Sequence, residues 1–126
     1  FVITFGGEAV IDHDFPHLVH DVALLHALGV RLVLVHGSRP QIEKRLRDRK
    51  IKPRFSEGTR ITDRPTMSCV EDAVGNIRGR IEGLLSMGLP SSPMAHARIR
   101  VASGNFVIAR PWGLWKAKYA PSSTDR

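Results

Sequence analysis

A chain of 126 residues, 42% hydrophobic and 25% charged, is sized for one modest core rather than two independent domains. No apolar run approaches the roughly 20 residues of a membrane span, and a single cysteine excludes an internal disulfide and favours a reducing, cytoplasmic setting. The formal charge of +7 raises a nucleic-acid partner, but the densest basic stretch (Lys44, Arg45, Arg47, Arg49, Lys50, Lys52 and Arg54) has only Phe55 as an aromatic neighbour. Readers of nucleic acid add a stacking platform or a groove-entering motif, so a solvated helix end and loop is the simpler reading.

Phe1 to Phe5 is apolar, partly β-branched and ends on Gly6 and Gly7, the pattern of a buried strand entering a tight turn. Asp14 before Phe15 and Pro16 marks a helix start, and Leu18, Val22 and Leu25 with Val19, Ala23 and Leu28 give it one apolar face ending at Gly29. Val30 to Val35 has little alternation, as expected of a strand covered on both faces. Strand, glycine loop, helix and strand make a βαβ unit, which predicts parallel strands.

Pro40 fits the first turn of a helix running to about Arg49, and residues 51–62 read as a loop or irregular hairpin. Asp63, with Pro65 following, caps a third helix whose predicted buried face is Met67, Val70, Val74, Ile77, Ile81 and Leu84. Cys69 falls within it as a buried structural thiol. Gly75, Gly79 and Gly83 form a second stripe, each costing roughly 1 kcal/mol of helix propensity, which predicts close approach to another backbone. Ile99–Ala102 and Asn105–Ala109 read as two strands turning at Ser103 and Gly104.

The two strand ends, Gly6–Gly7 and His36–Gly37–Ser38, make one candidate anion- or ligand-binding site, because ligands of open α/β sheets collect beyond the carboxyl ends of the strands. Neither loop is a GxxxxGK[ST] or GxGxxG motif. Thr4 leaves the first loop without the fixed cation that phosphoryl transfer uses. Arg60, in a β-branched run after a loop, is the candidate to clamp a small carboxylate, such as that of an amino acid, against the alternative of a surface arginine. Among six histidines, His13, His17 and His20 have suggestive spacing, but no acidic or cysteine partner completes a zinc set, and no metal or catalytic residue is assigned.

Val2-Ile3-Thr4-Phe5-Gly6-Gly7-Glu8-Ala9, Leu32-Val33-Leu34-Val35-His36-Gly37-Ser38-Arg39-Pro40-Gln41-Ile42, Arg60-Ile61-Thr62-Asp63 and Ser103-Gly104-Asn105-Phe106, in that order, resemble the bacterial N-acetylglutamate synthase family. The likeness is to the front of its amino-acid-kinase-like domain and runs from Phe1 to about Gly113. It implies an α/β fold, a three-layer α/β/α sandwich with a mainly parallel sheet, incomplete in this chain. It also implies a parent enzyme that acetylates the α-amine of L-glutamate with acetyl-CoA in the first step of arginine biosynthesis. The kinase-like domain would be regulatory, take arginine as feedback inhibitor and assemble into homo-oligomers, while a separate acetyltransferase domain, absent here, does the transfer. Kinases of the wider family carry lysine where Thr4 stands.

Residues 1–113 are therefore expected to be part of the kinase-like domain, binding no cofactor of their own. The segment 114–126 departs from the acidic, Asp-Gly-containing continuation of the family and is read as a frameshifted, artificial or disordered tail. Two alternatives stay open. An acetylglutamate kinase-like phosphotransferase would need the lysine missing at Thr4, and a basic nucleic-acid-binding module rests on the charge cluster alone.

Overall fold

The computed structural model describes residues 1–87 and 99–104. Strand β1 (Val2–Phe5) leads through Gly6 into a five-residue helix α1 (Gly7–Ile11), and α2 (Phe15–Ala27) carries the chain back to β2 (Val33–His36). Then follow α3 (Arg39–Asp48), the strands β3 (Arg54–Ser56) and β4 (Thr59–Ile61), and the 23-residue helix α4 (Arg64–Ser86). β1 and β2 pair in parallel, Val2 with Val33 through Phe5 with His36. β3 and β4 pair antiparallel in a separate hairpin. The predicted βαβ unit is present, with α1 inserted in what the sequence presents as a turn.

Helix ends follow from local chemistry. Gly29, at φ 87°, ends α2: its amide reaches the His26 carbonyl and the Val30 amide reaches Leu25, the two bonds of a Schellman cap. α3 ends in the same way, with Lys50 at φ 56° in the place usually taken by glycine. Glu57 and Gly58, both at positive φ, make the two-residue connection of the β3–β4 hairpin, so of the expected loop or irregular hairpin over 51–62 the structure forms a hairpin with a two-residue turn from Arg54 to Ile61. Asp63 caps α4 by accepting the Thr66 amide at 3.0 Å, as its sequence position predicts. Asp14 stands at the start of α2 but makes no side-chain cap; its own amide instead donates to Asp12 Oδ1 at 2.8 Å.

One core joins Val10, Phe15, Val19, Val22 and Ala23 to Ile77, Ile81 and Leu85, with Ile3, Phe5 and Leu34 packed on it. A second joins Ile42 and Leu46 to Cys69 and Ala73 across the α3–α4 contact. Three expectations are corrected. The buried face of α4 is Thr66, Cys69, Ala73, Ile77, Ile81 and Leu85; Met67 points outward because small residues let α3 come close at that level. On α2, Leu25 and Leu28 are exposed while Phe15, Val19, Val22 and Ala23 are buried. The glycine stripe on α4 meets no packing partner among the described residues: a Cβ built on Gly75, Gly79 or Gly83 finds none of their atoms within 4 Å.

The sheet also differs from expectation. Ile3, Phe5 and Leu34 face the helices, but Val2, Val33 and Val35 remain 66%, 47% and 47% exposed, so one face of the sheet is open among the described residues. Ile99–Gly104 is irregular rather than strand; Ile99 packs on the first core and the Ser103 hydroxyl hydrogen-bonds Glu82. The expected strand Asn105–Ala109 and the tail 114–126 lie outside the described residues.

Candidate functional site

The register of β1 on β2 places the ends of the two strands side by side. Phe5 pairs with His36, and the Gly37 amide donates to the Phe5 carbonyl at 2.8 Å. Beyond that bond the loops touch backbone to backbone: a Cβ on Gly37 would lie 3.0 Å from the Gly7 nitrogen and 3.3 Å from Gly6 Cα. A Cβ on Gly7 would strike Gln41 Oε1 and lie 2.9 Å from Pro40 Cδ and 3.1 Å from Ser38 Cα. These are positions where only glycine permits the approach. Gly6, Gly7, Gly37 and Ser38 thus come together as the sequence predicts.

Gln41 fastens the junction. Its Nε2 donates to the Gly7 carbonyl at 2.7 Å, while its Oε1 is buried without a partner among the described residues. α3 starts at Arg39 with Ser38 as N-cap, and among the described residues no side chain caps the amides of its first turn. Glu8 curls back until its Oε2 lies 2.5 Å from where a Gly6 Cβ would be, which sets a carboxylate beside the start of α1. His36 is partly buried with Nδ1 3.2 Å from the Gly37 carbonyl, so its ring lies along its own loop. Thr4 is exposed and pairs with Val35, on the uncovered side of the sheet.

Arg60, on β4, is not a surface arginine. Its side chain is 15% exposed, its guanidinium stacks over the Phe55 ring at 5.3 Å, and Nη2 lies 3.4 Å from Glu43 Oε1 on α3. Nη1 is buried with no hydrogen-bond partner among the described residues. A buried donor left unpaired is costly, and a carboxylate with two oxygens in one plane matches the guanidinium fork. Glu43 Oε1 also takes Arg39 Nε at 3.0 Å. The Arg39 hydrogen bond, aided by the charges of Arg39, Arg60 and Arg47, holds the Glu43 carboxyl below its ordinary pKa, so it is ionised at neutral pH.

The hairpin hands Arg60 to α3, and α3 begins at the two-loop junction, so one helix links both halves of the site. Sequence reasoning missed Glu43, although its spacing of four from Arg39 is the signal of a helical ion pair. Gln41 carried no signal beyond its place in the resemblance motif.

Two other groupings resolve differently. In the basic stretch, Lys44 pairs with Asp48 at 2.8 Å, Arg49 with Asp72 and Ser68, and Arg54 with Asp63 at 2.9 Å, while Arg45 donates to the Gln41 carbonyl. Much of its charge is thus met within the chain. Of the histidines among the described residues, only His13 joins a cluster, with acidic partners the sequence reading did not assign: ligand atoms of Asp12, His13 and Asp14 lie within 4.8 Å of one another, all exposed. His13 already contacts both carboxylates, Asp12 at 3.3 Å and Asp14 at 3.0 Å. Among the described residues no helix is long and apolar enough to cross a membrane.

Comparison with known proteins places this geometry in context. The model of the amino acid kinase family matches residues 1–124. Amino-acid acetyltransferases of Azotobacter vinelandii and of Pseudomonas fluorescens are each 58% identical over 114 residues, 90% of this chain and 26% of theirs. The chain therefore spans about a quarter of the length of these curated relatives. A solved structure of N-acetylglutamate synthase from Neisseria gonorrhoeae, complexed with coenzyme A and N-acetyl-glutamate, superposes with a TM-score of 0.69 at 28% identity. That match covers 89% of this chain and 24% of the other.

Proposed function

The chain belongs to the amino acid kinase family, and on that premise we propose that it is the front part of the kinase-like domain of an amino-acid N-acetyltransferase. The whole protein would move an acetyl group from acetyl-CoA to the α-amine of L-glutamate, the opening step of arginine biosynthesis in the cytoplasm. The portion in hand binds and regulates, and the transfer is carried by a separate acetyltransferase domain. L-Arginine is the proposed feedback inhibitor and a homo-oligomer the proposed assembly.

The observation that carries this reading is 58% identity to amino-acid acetyltransferases over 90% of the chain, joined to Thr4 at the end of β1 where a phosphotransferase needs a cation. A loop pair fastened backbone to backbone, with no lysine beside it among the described residues, would keep the scaffold of phosphoryl transfer without its chemistry. Arg60, with Nη1 buried and without a partner among the described residues, supports carboxylate binding at the edge of α3.

The test is paired. The purified chain should form no N-acetylglutamate from acetyl-CoA and glutamate, and no ADP from ATP and N-acetyl-L-glutamate. The same sequence joined to the remainder of its parent should acetylate glutamate and be inhibited by L-arginine. ADP formation by the chain alone would replace the proposal with a kinase, and an inactive complete parent would remove it.

A further inference from the structure

Arg60 and Arg39 approach one carboxylate from two sides. Glu43 Oε1 lies 3.0 Å from Arg39 Nε and 3.4 Å from Arg60 Nη2. The first contact is a well-formed charge-assisted bond; the second is at the long limit of one. Arg60 is the buried partner and Arg39 the exposed one, with side chains 15% and 75% exposed. The buried guanidinium therefore has the weaker hold on its counter-ion, and its Nη1 has none among the described residues. Burying a guanidinium this poorly satisfied is unfavourable unless something else completes it.

We propose that Glu43 is a built-in competitor at Arg60: its carboxylate occupies one nitrogen of the fork in the empty site and yields it to the carboxylate of a bound ligand, so that Glu43 sets the affinity of the site for small carboxylates. This rests on the reading of Arg60 as a carboxylate contact. When a ligand carboxylate takes Nη1 and Nη2 together, Glu43 swings wholly to Arg39, which already holds it at the shorter distance. The exchange costs little because the displaced carboxylate keeps a partner, and the exposed Arg39 side chain can follow it. Glu43 also repels an incoming anion through space, so it restrains binding even after it moves aside.

The test is calorimetric titration of the purified chain with N-acetyl-L-glutamate as probe, using wild type, E43Q, R60Q and the double variant. Glutamine keeps the length and the accepting oxygen of Glu43 but removes the charge, and an unchanged melting temperature checks that α3 is intact. E43Q should tighten binding by about fivefold or more, and that gain should vanish in the R60Q background, since coupling through Arg60 makes the two changes non-additive. Binding that is unchanged or weaker in E43Q, or a gain that persists without Arg60, overturns the proposal. Lost binding in R60Q with no gain in E43Q would leave Arg60 as the carboxylate contact and remove only the competitor role. Equal binding in R60Q and wild type, or none in either wild type or E43Q, would remove both.

Discussion

The same substitution, glycine to alanine, should act with opposite sign at two places in this chain. At Gly7 the added methyl would meet Gln41 Oε1 together with Pro40 Cδ at 2.9 Å and Ser38 Cα at 3.1 Å. Gln41 can swing away only by giving up its 2.7 Å bond to the Gly7 carbonyl, and the other two atoms belong to the turn that starts α3. Overpacking of this kind costs about 1–3 kcal/mol, and losing the amide bond adds about 1 more. At Gly75 and Gly79, on the exposed side of α4, the methyl meets nothing within 4 Å among the described residues, and helix propensity alone should return about 1 kcal/mol at each.

For a domain of this size 1 kcal/mol moves the midpoint by roughly 4 °C. Thermal unfolding followed by circular dichroism at 222 nm should therefore show G7A lowered by about 8–16 °C and G75A and G79A each raised by about 4 °C. A neutral G7A would refute backbone contact between the two loops. A destabilised G79A would mean that the glycine stripe packs against something in solution.

Other expectations follow from the packing and the charges. Ile77, 1% exposed at the centre of the larger core, should cost about 3 kcal/mol on truncation to alanine, read from the urea midpoint. Lys50 sits at φ 56° in a Schellman cap, so K50G should stabilise by roughly 0.5–1 kcal/mol in the same assay, the relief of left-handed strain exceeding the added freedom of the unfolded chain. Acid should weaken the fold in a defined way. Glu43 is held below its ordinary pKa by Arg39, Asp48 by Lys44, and Asp63 by the side chain and amide of Thr66. Since the folded values lie below the unfolded ones, these groups stabilise fully above the ordinary carboxylate values of 4.5 for Glu43 and 3.8 for the aspartates, and that contribution is lost as pH falls through the folded values. Melting temperatures across that range should fall less steeply in D63N, in which asparagine still accepts at the cap but no longer titrates.

The βαβ unit was legible because its signals are local: apolar runs of strand length, and glycine where a helix must end in positive φ. Gly29 and Asp63 behave as their residue types require. The five-residue α1 was not legible, since it is too short to display a helical period and follows a glycine pair that also suits a turn. The face of α4 was misread at its front because periodicity counts apolar residues while packing selects by size. Cys69 and Ala73 fit against Ile42 and Leu46, and a methionine at that level would hold the helices apart. The two loops of the site could be paired from chain order alone. Glu43 could not be joined to Arg60 from sequence, since their contact depends on a hairpin laying β4 beside α3.

The central proposal is that the loop residues Gly6, Gly7, His36, Gly37 and Ser38, together with Arg60, form a carboxylate-binding site on a kinase fold without kinase chemistry. Titrating the 15N-labelled chain with N-acetyl-L-glutamate and following its amide and arginine side-chain resonances tests this most directly. The account predicts saturable shifts concentrated at the amides of Gly6, Gly7, Gly37 and Ser38 and at the Arg60 guanidinium, all abolished in R60Q. Shifts confined to other surfaces, or a spectrum unmoved by the probe, would contradict it.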